Sequence, residues 1–139
     1  MTVSRSPLET RRIGYKYGER AEAGEIYCLT GELGAGKTVF AKGFAEGLSV
    51  GVETEIVSPT FVILNEYAGR LPLYHFDVYR CGPEDMSEIG FEEYILGGGV
   101  ALIEWAERVA ELLPPHCVWI DITKDKKDEN IRYIDKKII

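Results

Sequence analysis

A chain of 139 residues, 45% hydrophobic and 28% charged, can bury one core; it reads as a single domain over residues 1–139, without room for a separate substrate domain. Its formal charge of −7 disfavours gripping nucleic acid directly, since that grip relies on an excess of phosphate-neutralising Lys and Arg. No apolar run approaches the roughly 20 residues that span a bilayer, and residues 1–7 lack the apolar segment of a signal peptide, so a cytoplasmic location is expected.

Ser6-Pro7-Leu8-Glu9 signals a helix start, with Ser6 as N-cap, proline in the first turn and Glu9 completing a capping box. Ile13, Tyr17 and Ala21 share one face of this helix, which is expected to end at Gly24. Residues 25–30 read as a short buried strand. Phe40, Ala41, Phe44, Ala45 and Leu48 then fall at helical spacing, with Gly47 and Gly51 marking the stop. Residues 55–57 and 61–67 read as extended, with Ser58-Pro59 enforcing a break between them.

Residues 71–76 and 100–103 are further apolar strands. Residues 83–96 between them are expected to be helical, up to the Gly97-Gly98-Gly99 turn. A helix over 106–113 is closed by Pro114-Pro115, and strands at 117–123 and 131–139 are joined by the polar turn 125–130. Strands alternating with helices and ending in an antiparallel hairpin predict an α/β sandwich with a mixed sheet. The tail 124–139 interleaves six basic residues (Lys124, Lys126, Lys127, Arg132, Lys136, Lys137) with four acids, which reads as a solvated hairpin before a basic docking patch.

Cys28, Cys81 and Cys117 are odd in number, widely spaced and form no C-x-x-C pair. They read as small buried hydrophobes, not as zinc ligands or a disulfide framework. His75 and His116 stand alone, which gives little support to a His-based metal site or triad.

The segment Gly31-Glu32-Leu33-Gly34-Ala35-Gly36-Lys37-Thr38 fits G-x-x-x-x-G-K-S/T at every fixed position, with a strand before it and an amphipathic helix after it. The chemistry requires these residue types. Glycines let backbone N–H groups approach phosphates closely, and the helix that follows aims its positive N-terminus at the same oxygens. Leu33, Gly34, Ala35 and Gly36 are thus candidate phosphate-binding positions. Lys37 would bridge the β- and γ-phosphates, and the Thr38 hydroxyl would ligate Mg²⁺. ATP with Mg²⁺ is the expected cofactor pair.

Such loops work with a carboxylate at the end of a second buried strand. Asp77, Glu104 and Asp121 each end an apolar run. Asp77 and Glu104 are preferred because each leaves its strand toward a loop, where ligands of α/β sheets bind; Asp121 reads as a strand-face charge. Ser58-Pro59-Thr60-Phe61 reads equally as an ordinary turn and as a switch segment with a hydroxyl that senses the γ-phosphate.

Taken in order, the P-loop, Ser58-Pro59-Thr60-Phe61, His75-Phe76-Asp77-Val78-Tyr79-Arg80 and Ile103-Glu104-Trp105 resemble the bacterial tRNA threonylcarbamoyladenosine biosynthesis ATPase family, TsaE (also called YjeE). Thr10 with Ile13-Gly14 is similar to the family's N-terminal helix, and Arg132 falls in its C-terminal strand region. The likeness implies a P-loop NTPase-like sandwich: a mixed, mostly parallel sheet flanked by helices, with a C-terminal antiparallel hairpin. It also implies a small ATPase that binds TsaB and TsaD, resets that complex between rounds of tRNA modification, and meets tRNA only through it.

By the same resemblance Thr38 and Glu104 serve Mg²⁺, Lys37 and the loop amides hold phosphates, and Thr10 and Arg132 lie near the nucleotide. Asp77 would position water or metal, with Thr60 in the switch-like segment. No other metal and no membrane are implied. The family's pattern is departed from at Cys81-Gly82-Pro83, where a leucine-led continuation is more usual, and in the short stretch after Arg132.

No arginine finger or dedicated base stands near the loop in sequence, so slow hydrolysis by the isolated chain is expected. Arg80 beside Asp77 reads as a structural ion pair ahead of a partner contact. Three other readings make their own demands. A small-molecule kinase would need a substrate insertion and lid that 139 residues hardly accommodate. A nucleotide-dependent binding module without essential hydrolysis would work equally well with a non-hydrolysable analogue. A GTPase would usually show Asn-Lys-x-Asp, and Thr123-Lys124-Asp125-Lys126 lacks its first and last residues.

Overall fold

The computed structural model describes residues 1–32, 34–51, 64–80 and 82–138. The strand expected at 55–57 and the first residues of the 61–67 strand lie outside them, as does Cys81. In chain order the elements are β1 (Thr2–Ser4), α1 (Pro7–Arg20), β2 (Ile26–Thr30), α2 (Lys37–Gly47), β3 (Leu64–Tyr67) and β4 (Leu73–Asp77). There follow α3 (Pro83–Glu88), α4 (Phe91–Ile95), β5 (Val100–Glu104), a 3-10 helix (Ala106–Leu112), β6 (Val118–Lys124) and β7 (Arg132–Ile138).

These strands form one sheet in the order β1-β7-β6-β2-β5-β4-β3. Its centre is parallel, β6 and β5 flanking β2 and β4 beside β5, while β3, β7 and β1 add antiparallel edges. Both faces are covered, so the central strands are apolar on both sides. Along β2, Tyr27 and Leu29 meet Phe40 and Phe44 of α2 and Leu48 just after it, whereas Ile26 and Cys28 join Phe76, Met86, Phe91 and Ile103 on the opposite face. The alternation is the period-2 geometry of a strand working between two helical layers. Cys28 and Cys117 are buried free thiols, in keeping with their reading as small core residues.

The start of α1 follows its sequence signal. Ser6 Oγ accepts the Glu9 N–H at 3.1 Å, and Glu9 Oε2 accepts the N–H of Arg5 at 2.7 Å, one residue outside a standard capping box. The end differs from expectation. Helical geometry stops at Arg20, Ala21 is extended, and the Arg70 guanidinium binds the carbonyls of Gly18, Glu19 and Ala21 at 3.0–3.2 Å. A cation on the last carbonyls satisfies groups the helix itself leaves unpaired.

The buried line of α1 is Thr10, Gly14 and Gly18; Ile13 and Tyr17, expected at the core face, flank it half-buried. Small residues are needed there because α1 and α2 approach to backbone contact. A Cβ on Gly18 would stand 2.0 Å from the Phe44 carbonyl oxygen, and one on Gly43 only 1.8 Å from that of Arg11.

Three other expectations are corrected. The helix expected over 83–96 is two short helices, broken at Gly90 with φ of +77°. The 106–113 helix is 3-10, entered through Trp105 at φ +63°. β1 had no counterpart among the expected elements; it exists by pairing with β7, Thr2 opposite Ile134. No helix among the described residues is long and apolar enough to cross a membrane.

Candidate functional site

β2 ends at Thr30 in the middle of the sheet and the chain turns at once into the glycine-rich loop. Gly31, Gly34 and Gly36 have φ of +146°, +76° and +105°, values that L side chains rarely adopt. The turn is closed by the Ala35 N–H on the Glu32 carbonyl at 3.0 Å. α2 starts at Lys37 with no side-chain cap on its N-terminus and no acid in its first turn. The loop and helix start therefore present backbone donors and a positive dipole end to an anion.

Lys37 is 6% exposed. Its ammonium donates to the carbonyls of Gly31 and Glu32 and lies 3.4 Å from the centroid of the Trp105 ring. Burial draws its pKa down, opposed by the negative charges of Glu104, Glu107, Asp77 and Asp121 around it. Trp105 is fixed in turn by its backbone N–H on the Leu29 carbonyl at 3.0 Å and by Tyr79, ring to ring at 4.7 Å.

The two preferred acids meet at one end of the sheet. Asp77 and Glu104 are direct register partners on β4 and β5. Glu104 is 2% exposed and lies 2.6 Å, through Oε2, from Nε2 of the fully buried His75. Asp77 Oδ1 accepts the Tyr79 N–H at 3.0 Å; burial first, and Glu104 beside it, push its pKa up, against the Tyr79 bond, His75 and Lys37. Asp121 lies on the exposed side of β6 opposite Thr30 and accepts that hydroxyl at 2.7 Å, a strand-face role as read from sequence.

Among the described residues no three His, Cys, Asp or Glu side chains gather into a metal cage. A buried carboxylate at Glu104 and a hydroxyl at Thr38, in the first turn of α2, instead suit Mg²⁺. That ion keeps several waters and takes the rest of its ligands from one or two protein oxygens and from substrate phosphates.

A second ring of residues secures the loop from outside. Thr10 is buried, its hydroxyl bonded to that of Ser4 at 2.7 Å, and its methyl lies 3.8 Å from where a Cβ on Gly36 would stand. Arg132 donates from Nε to the Ala35 carbonyl at 2.9 Å and from a terminal nitrogen toward that of Gly34 at 3.4 Å. The same side chain also donates to the carbonyls of Glu129 and Ile131 in its own hairpin.

Lys124 pairs with Arg132 across the β6–β7 hairpin, and its ammonium lies 3.1 Å from the Cβ position of Gly34. In sequence Lys124 reads as part of a solvated hairpin. Nothing in the order of residues signals that β6 runs beside β2 and delivers this lysine to the loop. Arg80 is exposed and forms no ion pair with Asp77 among the described residues, so the structural pairing expected for it is not made. Leu33 and Thr60, with the rest of the 58–61 segment, lie outside the described residues. Beside the first half of the loop opens a cleft of about 1180 Å³, bounded by Glu32, Trp105, Glu107, Asp121 and Lys126.

Comparison with known proteins gives a consistent result. Residues 4–134 match the family described as threonylcarbamoyl adenosine biosynthesis protein TsaE. The chain is 50% identical over 121 residues to the tRNA threonylcarbamoyladenosine biosynthesis protein TsaE of Treponema pallidum, covering 86% of this chain and 88% of that one. Its identity to the TsaE protein of Bacillus subtilis is also 50%, over 127 residues, 89% of this chain and 77% of the relative. The crystal structure of YdiB from Bacillus subtilis superposes with a TM-score of 0.84 at 40% identity, over 99% of this chain and 84% of that one.

Proposed function

The chain belongs to the TsaE family of tRNA threonylcarbamoyladenosine biosynthesis, and from that premise we propose that it is a Mg²⁺-dependent ATPase. In this reading it binds the TsaB–TsaD complex and resets it between rounds of tRNA modification. The observation that carries the reading is the placement of Lys37. A buried ammonium stands at the mouth of a glycine-rich loop, with Glu104 and Asp77 beside it at the ends of neighbouring strands.

With ATP bound, Lys37 exchanges the Gly31 carbonyl for β- and γ-phosphate oxygens, a stronger, charge-assisted partner. The loop N–H groups and the start of α2 hold the same phosphates. Thr38 and Glu104 would hold Mg²⁺, which supplies neutralisation of the charge on the β- and γ-oxygens. Asp77, at the end of the neighbouring strand, would position the attacking water. Thr10 and Arg132 keep the loop in register behind the nucleotide.

Phosphoryl transfer draws most of its acceleration from such positioning and charge neutralisation. The exposed cleft beside Glu32 and Trp105 leaves the outer side of the loop accessible to a partner protein, which fits gating from outside. A multiple-turnover tRNA modification assay with TsaB and TsaD tests the proposal. ATP should sustain repeated rounds, and a non-hydrolysable analogue should stop after one. Equal support from both would replace the ATPase with a nucleotide-dependent binding module.

A further inference from the structure

His75 stands in the middle of β4 with no exposure at all, on the same side of the sheet as Leu73 and Asp77. Burying an imidazole in a strand costs free energy that a leucine would not, unless its polar atoms are used. One of them is used: Nε2 lies 2.6 Å from Glu104 Oε2, inside the sheet, where water does not compete. The register sharpens the point. Glu104 is opposite Asp77 and His75 is opposite Leu102, so the Glu104 side chain leans back along the sheet to reach the ring. Two neighbouring carboxylates at a strand end repel each other, and His75 supplies the donor that holds one of them in a set direction.

We propose that His75 is a positioning residue that aims the Glu104 carboxylate at Mg²⁺; this rests on the reading of Glu104 as the residue serving the metal. An ionised carboxylate only accepts, so the ring hydrogen sits on Nε2. Nδ1 is buried with no partner among the described residues, and as a bare lone pair it leaves no N–H unsatisfied. A hydrogen on Nε2 thus suits the pairing with Glu104. A carboxylate has about four lone-pair sites, and the bond from His75 takes one of them. Partners that orient a metal-binding group in this way typically alter metal affinity about 10–100-fold when removed.

The test uses the full chain with ADP and Mn²⁺ as the probe, bound metal being read by EPR and metal-free ADP affinity by calorimetry. His75→Leu should weaken Mn²⁺ binding to the ADP complex about 10–100-fold while leaving metal-free ADP affinity within about twofold. His75→Gln, whose amide can donate to Glu104, should recover most of the loss, and Glu104→Gln should lose the metal outright. A folded His75→Leu protein that binds Mn²⁺ as the parent does overturns the inference. So does a His75→Gln protein as weak as His75→Leu, which would make the residue a matter of packing alone. If His75→Leu fails to fold by thermal melting, the His75→Gln result decides in the same two directions. Normal Mn²⁺ binding by Glu104→Gln would instead remove the reading of Glu104 itself, and the inference with it.

Discussion

Arg132, at the start of the last strand, donates through Nε to the carbonyl of Ala35 at 2.9 Å, joining positions 97 residues apart. The same guanidinium reaches the Ile131 carbonyl at 3.1 Å and points toward that of Gly34 at 3.4 Å. The terminal hairpin is thereby fastened to the glycine-rich loop. Replacing Arg132 with Lys keeps the charge and loses the planar fork. Hydrogen bonds to charged groups contribute about 1.5–3 kcal/mol, so Arg132→Lys should weaken ADP binding about tenfold or more, measured by calorimetry.

Lys124, the cross-strand partner of Arg132, makes no ion pair among the described residues although its ammonium lies over Gly34. An unbalanced cation at that place favours a polyphosphate. Lys124→Met should weaken ATP severalfold, weaken ADP less because it carries less charge, and leave the thermal midpoint unchanged. Equal affinities for parent and variant would remove Lys124 from the site. The effect should shrink in high salt, since the group is exposed and screened.

At the crossing of α1 and α2, Gly43→Ala would place a methyl 1.8 Å from the Arg11 carbonyl oxygen, and neither backbone can withdraw without moving its helix. Overpacking of this kind costs about 1–3 kcal/mol, occasionally more. Denaturant unfolding should register that loss. Gly82→Ala, with nothing within 4 Å of the added carbon, serves as the matched control and should stay near the parent.

That crossing marks a limit of what the sequence discloses. The strand–loop–helix unit from Ile26 to Gly47 is legible because its signals are local: apolar strand, fixed glycines, Lys-Thr, amphipathic helix. The acids at Asp77 and Glu104 are legible as strand ends. What periodicity misses is defined by neighbours distant in the chain. Gly14, Gly18, Gly43 and Gly47 read as weak helix formers or stops until two backbones touch. β1 is three residues long and exists through β7. His75 stands alone in sequence and acquires a partner when β4 lies beside β5.

Asp77 carries a pH signature. Burial, then Glu104, raise its pKa in the folded protein against the Tyr79 N–H, His75 and Lys37. A carboxyl that binds its proton more tightly when folded lowers stability as pH rises from the ordinary carboxylate range through the raised value; above that window the loss is complete. Asp77→Asn keeps an acceptor for the Tyr79 N–H and removes the titration. It should therefore melt higher than the parent near neutral pH, with the gain vanishing in acid. Its ATP turnover should fall about 10²-fold or more if Asp77 positions the reacting water. A variant no more stable at neutral pH would contradict the electrostatic account of Asp77.

The proposed function is that of a Mg²⁺-dependent ATPase built on Lys37 and gated from outside. It is tested most directly by steady-state ATP hydrolysis of the purified chain, alone and with TsaB and TsaD, for the parent and Lys37→Ala. Slow turnover alone, clear acceleration by the partners and loss of both rates in Lys37→Ala are the predicted results. Fast hydrolysis indifferent to the partners, or a Lys37→Ala protein that hydrolyses ATP like the parent, would contradict it.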